Sequence, residues 1–153
     1  MKIRHAWQND LQEIVEIELL CFPAETAFPP GMFSYLMRYA CTIVASPDED
    51  GIQGFIIGYA SGRTGFIYTL DVHPSHRRKG IGKKLLEALE RELYACGARK
   101  CRLEAAVENP AALELYRKAG YKEAALIENY YGNGKNAIRM IKELNDPRHA
   151  KHS

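Results

Sequence analysis

A cluster of basic residues surrounds two closely spaced glycines at residues 76–84, which read HRRKGIGKK. The segment that follows, LLEALERELYACG, is typical of a helix. Free N–H groups at a helix start, together with the positive end of the helix dipole, attract an anion. Gly80 and Gly82 permit positive φ and close approach to a ligand, and positive charge comes from Arg77, Arg78, Lys79 and Lys83. The stretch therefore predicts a phosphate site, and its charge suits a pyrophosphate.

Two common phosphate-binding motifs do not fit this stretch. The pattern GxxxxGK followed by Ser or Thr would need glycine at position 77, where Arg77 stands, and a hydroxyl residue where Lys84 stands. The pattern GxGxxG would need a third glycine at position 85, where Leu85 stands. Taken alone, the stretch also fits a solvated basic helix start with a tight glycine turn.

Antiparallel strands and two helices are predicted before this stretch. We expect a strand at KIRHA, a helix over NDLQEIVEIELLCF that Asn9 could cap, and a short helix from Met32 to Arg38 after a break at Pro29-Pro30-Gly31. The segments CTIVA and QGFIIGYAS, separated by SPDEDGI, predict a hairpin, and GFIYTLDVH predicts the next strand.

The sequence from residue 80 onward predicts alternating helices and strands, which would position the basic stretch at 76–84. They are the helix GIGKKLLEALERELYACG, the strand KCRLEAAV, the helix NPAALELYRKAG, and the strands YKEAALIEN and NAIRMIKEL. Gly97 and Gly120 are typical helix-ending residues, and Asn109 before Pro110 is typical of a helix start. We expect one mixed α/β domain over residues 1–145, with about seven mostly antiparallel strands and four helices, and a frayed tail at 146–153.

Composition excludes several classes of protein. A chain of 153 residues with 46% hydrophobic content predicts one globular domain. A net charge of +2 is too small to predict direct binding of nucleic acid. No signal-peptide pattern and no run of ~20 apolar residues is present, so we expect a soluble cytoplasmic protein that does not bind a membrane.

Cysteine and histidine spacing predicts neither a disulfide framework nor a metal site. Cys21, Cys41, Cys96 and Cys101 lack the paired CxxC spacing of zinc sites, and the five histidines are scattered. We expect reduced cysteines and no metal.

Two segments, VHPSHRRKGIGKKLL and LEAAVENPAALELYRKAGY, resemble the central motifs of the GNAT superfamily of acetyl-CoA-dependent N-acetyltransferases. Arg77, Gly80 and Gly82 meet the family signature of Gln or Arg, then Gly three residues later and Gly or Ala five residues later. The resemblance implies that the loop 77–82 holds the coenzyme A pyrophosphate and that the preceding strand pairs with the pantetheine arm. The implied contacts of acetyl-CoA are Leu70, Asp71, Val72, Arg77, Arg78, Lys79, Gly80, Ile81, Gly82, Lys83, Asn109 and Tyr116.

A closer resemblance is to the branch that acetylates N-terminal amines of proteins, which includes ribosomal-protein alanine N-acetyltransferases and their archaeal relatives. It is based on LEAAVENPAALELYRKAGY, on CFPAETAFPPGMF and on ENYYGNG. The resemblance implies a protein N-terminus as the acceptor, with a ribosomal protein as one possibility, and an enzyme that is a monomer or weak homodimer. The implied acceptor contacts are Phe22, Pro23, Glu25, Tyr130 and Tyr131.

Amide formation from a thioester needs a base for the amine proton, a stabiliser of the oxyanion and an acid for the thiolate. The resemblance implies that Glu104 is the base, directly or through a water, that Tyr116 is the acid, and that a backbone N–H near Val72 stabilises the oxyanion. Each residue also has a structural interpretation. Glu104 fits an ordinary strand residue, and Tyr116 fits a helix residue that packs with leucines.

Two other functions remain open at this point. One is acetylation of a small molecule such as a polyamine, an amino acid or an antibiotic, or of lysine; a polyamine site should be acidic, and Glu25 is the one acidic residue within 22–38 and 130–136. The other is a non-enzymatic sensor of coenzyme A or a nucleotide in a partner complex, which should preserve the loop but lose Glu104 or Tyr116. Both residues are present.

Overall fold

A computed structural model of the chain describes residues 1–47 and 51–146. Within these residues the fold has seven strands and four helices, as the sequence predicts. The strands are β1 (Lys2–His5), β2 (Cys41–Ser46), β3 (Gly54–Ser61), β4 (Thr64–Val72), β5 (Lys100–Ala106), β6 (Lys122–Ile127) and β7 (Ala137–Glu143). The helices are α1 (Leu11–Cys21), α2 (Pro30–Tyr39), α3 (Ile81–Ala95) and α4 (Pro110–Lys118). Across the described ranges, no helix combines the length and the apolar character that crossing a membrane requires.

The strands form one sheet in the order β1-β2-β3-β4-β5-β7-β6. β4 pairs with β5 in parallel, whereas β1 with β2, β2 with β3, β5 with β7 and β6 with β7 are antiparallel. The predicted hairpin of CTIVA and QGFIIGYAS is confirmed as β2 and β3. Because the last strand enters the sheet between β5 and β6, β7 becomes the direct neighbour of β5.

The helix ends confirm most of the predicted signals and correct two of them. Gly97 and Gly120 have φ of 108° and 101°, the left-handed conformation expected after a helix. Asn9 does not cap the first helix: residues 8–10 form a short 3-10 helix, and Asp10 accepts the N–H of Trp7 at 2.7 Å instead. The second helix begins at Pro30 rather than near residue 32, because the first turn of a helix tolerates proline.

Contacts divide the chain into two compact units. Unit 1 consists of Met1–Gly58 and Thr69–Leu89, and unit 2 consists of Tyr59–Tyr68 and the chain from Glu90 onward. The strands β3 and β4 contribute residues to both units. Of the predicted tail at 146–153, residues 147–153 lie outside the described residues.

Unit 1 has an apolar core between its helices and strands. The rings of Phe33 and Phe55 meet edge to face at 5.8 Å between centroids, and both side chains are fully buried. Around them pack Ile14, Ile17, Leu36, Val44, Ile52 and Ile57. Burial of such side chains stabilises a fold by roughly 1.5–3 kcal/mol each, so this cluster holds α1 and α2 on the strands.

Unit 2 contains a buried polar network within its core. The hydroxyl of Tyr121 donates to Glu90 at 2.7 Å, and Lys142 donates to the other oxygen of the same carboxylate at 2.9 Å. Tyr121 and Glu90 are both buried, and the network joins α3 to β7. Since each carboxylate oxygen has a partner, burial of this charge is compensated.

Gly54 marks a close approach between β3 and β4 in unit 1. A Cβ at this position would lie 2.7 Å from the backbone oxygen of Asp71 and 3.4 Å from a methyl group of Leu85. We expect Gly54→Ala to lower the free energy of unfolding by about 1–3 kcal/mol, the cost of overpacking a tight site. Denaturant unfolding followed by circular dichroism measures the loss. Gly31→Ala is the control, because a Cβ there meets no atom within 4 Å; equal stability of both variants would contradict the close approach.

Candidate functional site

The basic loop of unit 1 ends at the first turn of α3, as the sequence predicts. Arg78 and Gly80 have φ of 66° and 79°, in the left-handed region. The first backbone bond of the helix runs from the N–H of Lys84 to Gly80 at 3.1 Å, so the preceding N–H groups at the helix start have no partner in the helical ladder. Exposed basic side chains of Arg77, Arg78, Lys79 and Lys83 follow the same stretch.

The side chain of Arg77 packs back on its own unit. Its Nε donates to the carbonyl of Val72 at 3.2 Å, and one Nη donates to the sulfur of Cys21 at 3.3 Å. Cys21 also donates to the Val72 carbonyl at 3.4 Å, and burial raises the pKa of its thiol to about 11. Within residues 1–47 and 51–146, the second Nη of Arg77 makes no hydrogen bond, so it is available to an anion. Arg77 therefore also ties α1 to the end of β4.

Two buried carboxyl groups, Glu18 of α1 and Asp71 of β4, interact just before the loop. Asp71 is 1% exposed and Glu18 is 2% exposed. Burial raises the pKa of Asp71 well above its ordinary value, and a hydrogen bond with the Glu18 carboxyl raises it further. One oxygen of each group, Glu18 Oε1 and Asp71 Oδ2, accepts no other hydrogen bond in the described residues. A proton held by Asp71 and shared with Glu18 would satisfy both atoms, in line with the raised pKa of Asp71.

The same pair holds the loop that was predicted to contact the acceptor. Glu18 Oε2 accepts the backbone N–H of Phe28 at 2.9 Å, at the end of the segment that contains Phe22, Pro23 and Glu25. Within that loop Pro23 and Glu25 are exposed, whereas Phe22 is half-buried. Asp71 offers a ligand only its backbone because its side chain is buried, and Leu70 and Val72 beside it are half-buried.

In unit 2, Glu104 lies at the centre of a charged cluster on β5. Arg102 and Arg139 each donate Nε to Glu104 Oε2 at 3.0 Å. The register places Glu104 directly opposite Arg139 on β7, so both side chains extend from the same face of the sheet. The other oxygen, Oε1, accepts from the hydroxyl of Tyr130 at 3.4 Å. Glu104 is therefore more than an ordinary strand residue.

The late hairpin places two tyrosines on Glu104. The hydroxyl of Tyr131 donates to the backbone oxygen of Glu104 at 3.2 Å, and the rings of Tyr130 and Tyr131 meet edge to face at 4.8 Å. Burial and the nearby carboxylate raise the pKa of Tyr130, and burial raises that of Tyr131. Asn129 closes the turn by accepting the N–H of Gly134 at 2.7 Å. Both phenols remain neutral at physiological pH.

The two predicted residues around α4 differ in exposure. Asn109 caps the helix, as predicted, by accepting the N–H of Ala112 at 3.1 Å, which leaves its side-chain NH₂ for a ligand. Tyr116 is buried, 7% exposed, and its ring meets Tyr121 edge to face at 5.9 Å. Tyr116 thus packs in the interior, as its helical position predicts. Its hydroxyl remains the predicted acid.

The sequence from residue 11 to residue 121 matches the Acetyltransferase (GNAT) family. The chain belongs to the GNAT acetyltransferase family. The matched segment includes the basic loop, Glu104 and Tyr116, so the resemblance found in the two central motifs is confirmed. The mixed α/β fold with its mostly antiparallel sheet is likewise that of GNAT structures.

Several acetyltransferases are similar along almost the whole chain. An uncharacterized N-acetyltransferase of Methanocaldococcus jannaschii is 35% identical over 148 residues, which cover 94% of this chain and 92% of that protein. An N-alpha-acetyltransferase of Sulfurisphaera tokodaii is 28% identical over 159 residues, which cover 94% and 93%. The crystal structure of a ribosomal-protein alanine N-acetyltransferase from Escherichia coli superposes with a TM-score of 0.82 at 25% identity, covering 94% of both chains.

As a GNAT N-acetyltransferase, the chain uses acetyl-CoA as its acetyl donor. Features of unit 1 fit such a ligand: exposed basic side chains, and N–H groups at the start of α3 that have no backbone partner in the described residues, suit the phosphates of coenzyme A. The left-handed backbone at Arg78 and Gly80 shapes the loop around these N–H groups.

Sequence reasoning missed the partners of this acetyltransferase's key carboxyl groups. Arg102 precedes Glu104 by two residues in a strand, a spacing that puts both on one face, and this signal was available. Arg139 required the pairing of β5 with β7. Glu18 lies between Ile14, Ile17 and the end of α1 on the buried face of the helix, and this spacing was the available signal that it is buried.

Asp71→Asn tests the shared proton. The folded enzyme keeps on Asp71 a proton that the unfolded chain releases above the ordinary pKa of 3.8, so this group costs stability as pH rises toward its raised folded pKa. Asparagine cannot ionise and can still donate to Glu18. We expect the free energy of unfolding of Asp71→Asn, relative to wild type, to increase as the pH rises above 3.8 in denaturant titrations.

Asp10→Asn is the matched control, because its stability relative to wild type should change with pH in the opposite direction. Burial opposes ionisation of Asp10, but hydrogen bonds from Arg4 and from the Trp7 backbone prevail and lower its pKa. Its contribution to stability is present above the ordinary pKa and is lost as pH falls. The stability of Asp10→Asn relative to wild type should therefore decrease as pH rises. A pH-independent difference between Asp71→Asn and wild type would contradict the shared proton.

Proposed function

We propose that this acetyltransferase transfers the acetyl group to the N-terminal α-amine of a protein by direct attack in a ternary complex. The observation that supports this most is the contact of the Tyr130–Tyr131 hairpin with Glu104. The hairpin resembles the acceptor-binding element of N-terminal acetyltransferases, and here it touches the residue proposed as base. A relative named N-alpha-acetyltransferase, similar over most of the chain, supports the same acceptor.

The proposed base is Glu104, and its oxygens have different roles. Oε2 accepts from both Arg102 and Arg139, whereas among the described residues Oε1 accepts only the longer hydrogen bond from Tyr130. Oε1 is therefore the atom that takes the amine proton, directly or through one water. The two arginines fix the orientation of the carboxylate so that Oε1 stays available.

Acetyl-CoA supplies a thioester carbonyl that is open to attack by a neutral amine. The new C–N bond forms as the C–S bond breaks, the amine proton passes to Glu104, and Tyr116 gives its proton to the departing thiolate. In unit 1, the loop 77–82 binds the pyrophosphate, and a backbone N–H near Val72 stabilises the oxyanion. Asn109 contributes the side-chain NH₂ that its capping role leaves unused.

Proton energetics favour an α-amine over lysine as the acceptor. An α-amine with a pKa of ~8 is about a tenth neutral at pH 7, whereas lysine with a pKa of ~10.4 is neutral in about four parts in ten thousand. The difference adds ~3 kcal/mol to the barrier for lysine. We place the enzyme in the cytoplasm, with a ribosomal protein among its candidate acceptors.

Thiol release from acetyl-CoA tests the proposal directly. The purified enzyme is offered short peptides with free N-termini, the same peptides with blocked N-termini and an internal lysine, and spermidine. We expect release with the free N-termini, because their amines are available as the neutral nucleophile. Release with only blocked peptides or spermidine would contradict the proposal and assign the enzyme to lysine or polyamine acetylation.

Tyr116→Phe tests the proposed acid. Loss of the hydroxyl should lower kcat by about 10²-fold or more, the usual contribution of a positioned acid, while the dissociation constant of acetyl-CoA changes little. Steady-state kinetics and isothermal titration calorimetry give the two quantities. Tyr94→Phe, which removes a hydroxyl from α3, is the control. Equal losses in turnover and binding for Tyr116→Phe would contradict the acid role.

A further inference from the structure

The two arginines beside Glu104 have donor groups that the protein leaves without partners. Each uses Nε on Glu104, and Arg102 also lies over the ring of Phe66, 5.3 Å from its centroid. In the part of the chain that the structure describes, neither guanidinium makes another hydrogen bond or ion pair. Since a guanidinium carries five N–H donors, four on each arginine remain to be satisfied. The side chains of Arg102 and Arg139 are 35% and 29% exposed, so these ends are within reach of a ligand.

The cluster carries an excess of positive charge. One carboxylate faces two guanidinium groups, so Glu104 balances only one of them. Tyr130, which donates to Glu104 Oε1, is a phenol with a raised pKa and adds no charge. One arginine suffices to balance the charge of Glu104, so the second guanidinium, which also helps to orient the carboxylate, adds a positive charge that Glu104 does not neutralise. An acceptor whose charge near the reacting amine is wholly positive would be repelled here.

The arrangement of the two arginines suits a carboxylate. Arg139 stands opposite Glu104 on the neighbouring strand, and Arg102 stands two residues before Glu104 on the same face of β5. Their guanidinium groups therefore approach one carboxylate oxygen from two strands. Planar guanidinium groups bind carboxylates through paired hydrogen bonds, a geometry that lysine cannot reproduce.

We infer that the acceptor is an acidic N-terminus, with a carboxylate in its first or second residue that binds the free ends of Arg102 and Arg139. This inference rests on the proposed acetylation of N-terminal amines and names its substrate class. An acceptor with its amine at Glu104 Oε1 has a side chain of residue 1 or 2 close to the arginines that hold Oε2. The acidic side chain completes the charge balance of the cluster, and a basic side chain in the same place adds to the excess.

Matched peptides test the inference through the ratio of kcat/KM for an acidic peptide to kcat/KM for its amide counterpart. The enzyme is assayed with acetyl-CoA and peptides that begin Ala-Asp, Ala-Asn and Ala-Lys, and with the pair that begins Asp and Asn, all otherwise identical. We expect kcat/KM for each acidic peptide to exceed that of its amide counterpart at least about tenfold, the effect of a charge-assisted hydrogen bond. The Ala-Lys peptide should be the poorest substrate.

Variants of the two arginines test whether they cause the preference for acidic over amide peptides. Arg102→Gln and Arg139→Gln should bring the acidic-to-amide ratio close to one, and Arg139→Glu should favour the Ala-Lys peptide. A variant that merely disturbs Glu104 would lower all peptides by the same factor and leave the ratio unchanged. Arg91→Gln, which removes an exposed arginine of α3, is the matched control and should keep the wild-type ratio.

Each outcome separates the inference from the proposed function. Good turnover of the amide peptides with an acidic-to-amide ratio near one would overturn the acidic acceptor while leaving N-terminal acetylation intact. A high ratio that persists in both glutamine variants would also overturn the role of these arginines. Acetylation of free aspartate or glutamate without any peptide, or no turnover of any N-terminus, would instead contradict the proposed function, and the inference with it.

Discussion

The pairing of β5 with β7 is the constraint on which the chemistry of unit 2 depends. Its register sets Glu104 against Arg139, and a slip of one residue would turn Arg139 to the opposite face of the sheet. The same register brings Ala106 opposite Ala137, where the chain between β6 and β7 returns to the sheet. Because that chain contains the Tyr130–Tyr131 hairpin, one set of backbone hydrogen bonds positions the carboxylate, the arginine and both phenols.

The carboxyl groups of the two units are stabilised by different interactions. In unit 2 Glu104 is ion-paired with two guanidinium groups whose side chains are 35% and 29% exposed. In unit 1, Asp71 and Glu18 are almost fully buried, and burial together with the adjacent Glu18 carboxyl raises the pKa of Asp71, which favours its neutral form. The ion-paired arrangement is compatible with the base proposed at Glu104. The interaction of Asp71 with Glu18 suits a structural link, because it connects α1, β4 and the Phe28 backbone.

Local sequence signals predicted most of the fold and part of the site. The strands, the helix-ending glycines and the Asn109 cap follow from patterns within a few residues, and so does the loop 77–82. The position of β7 between β5 and β6 depends on contacts across the chain, so Arg139 could not be assigned to Glu104. Asn9 failed as a cap because Asp10 already binds Arg4 and the Trp7 backbone. Arg102, by contrast, could have been found from its spacing alone.

The central claim is that the acceptor is an N-terminal amine, and it rests on the contact of the Tyr130–Tyr131 hairpin with Glu104 and on the neutral fraction of α-amines. The most direct measurement uses one peptide that has a free acidic N-terminus and an internal lysine. After incubation with the enzyme and acetyl-CoA, fragmentation mass spectrometry locates the added acetyl group. The account predicts acetylation at the α-nitrogen, and acetyl found on the lysine alone would contradict it.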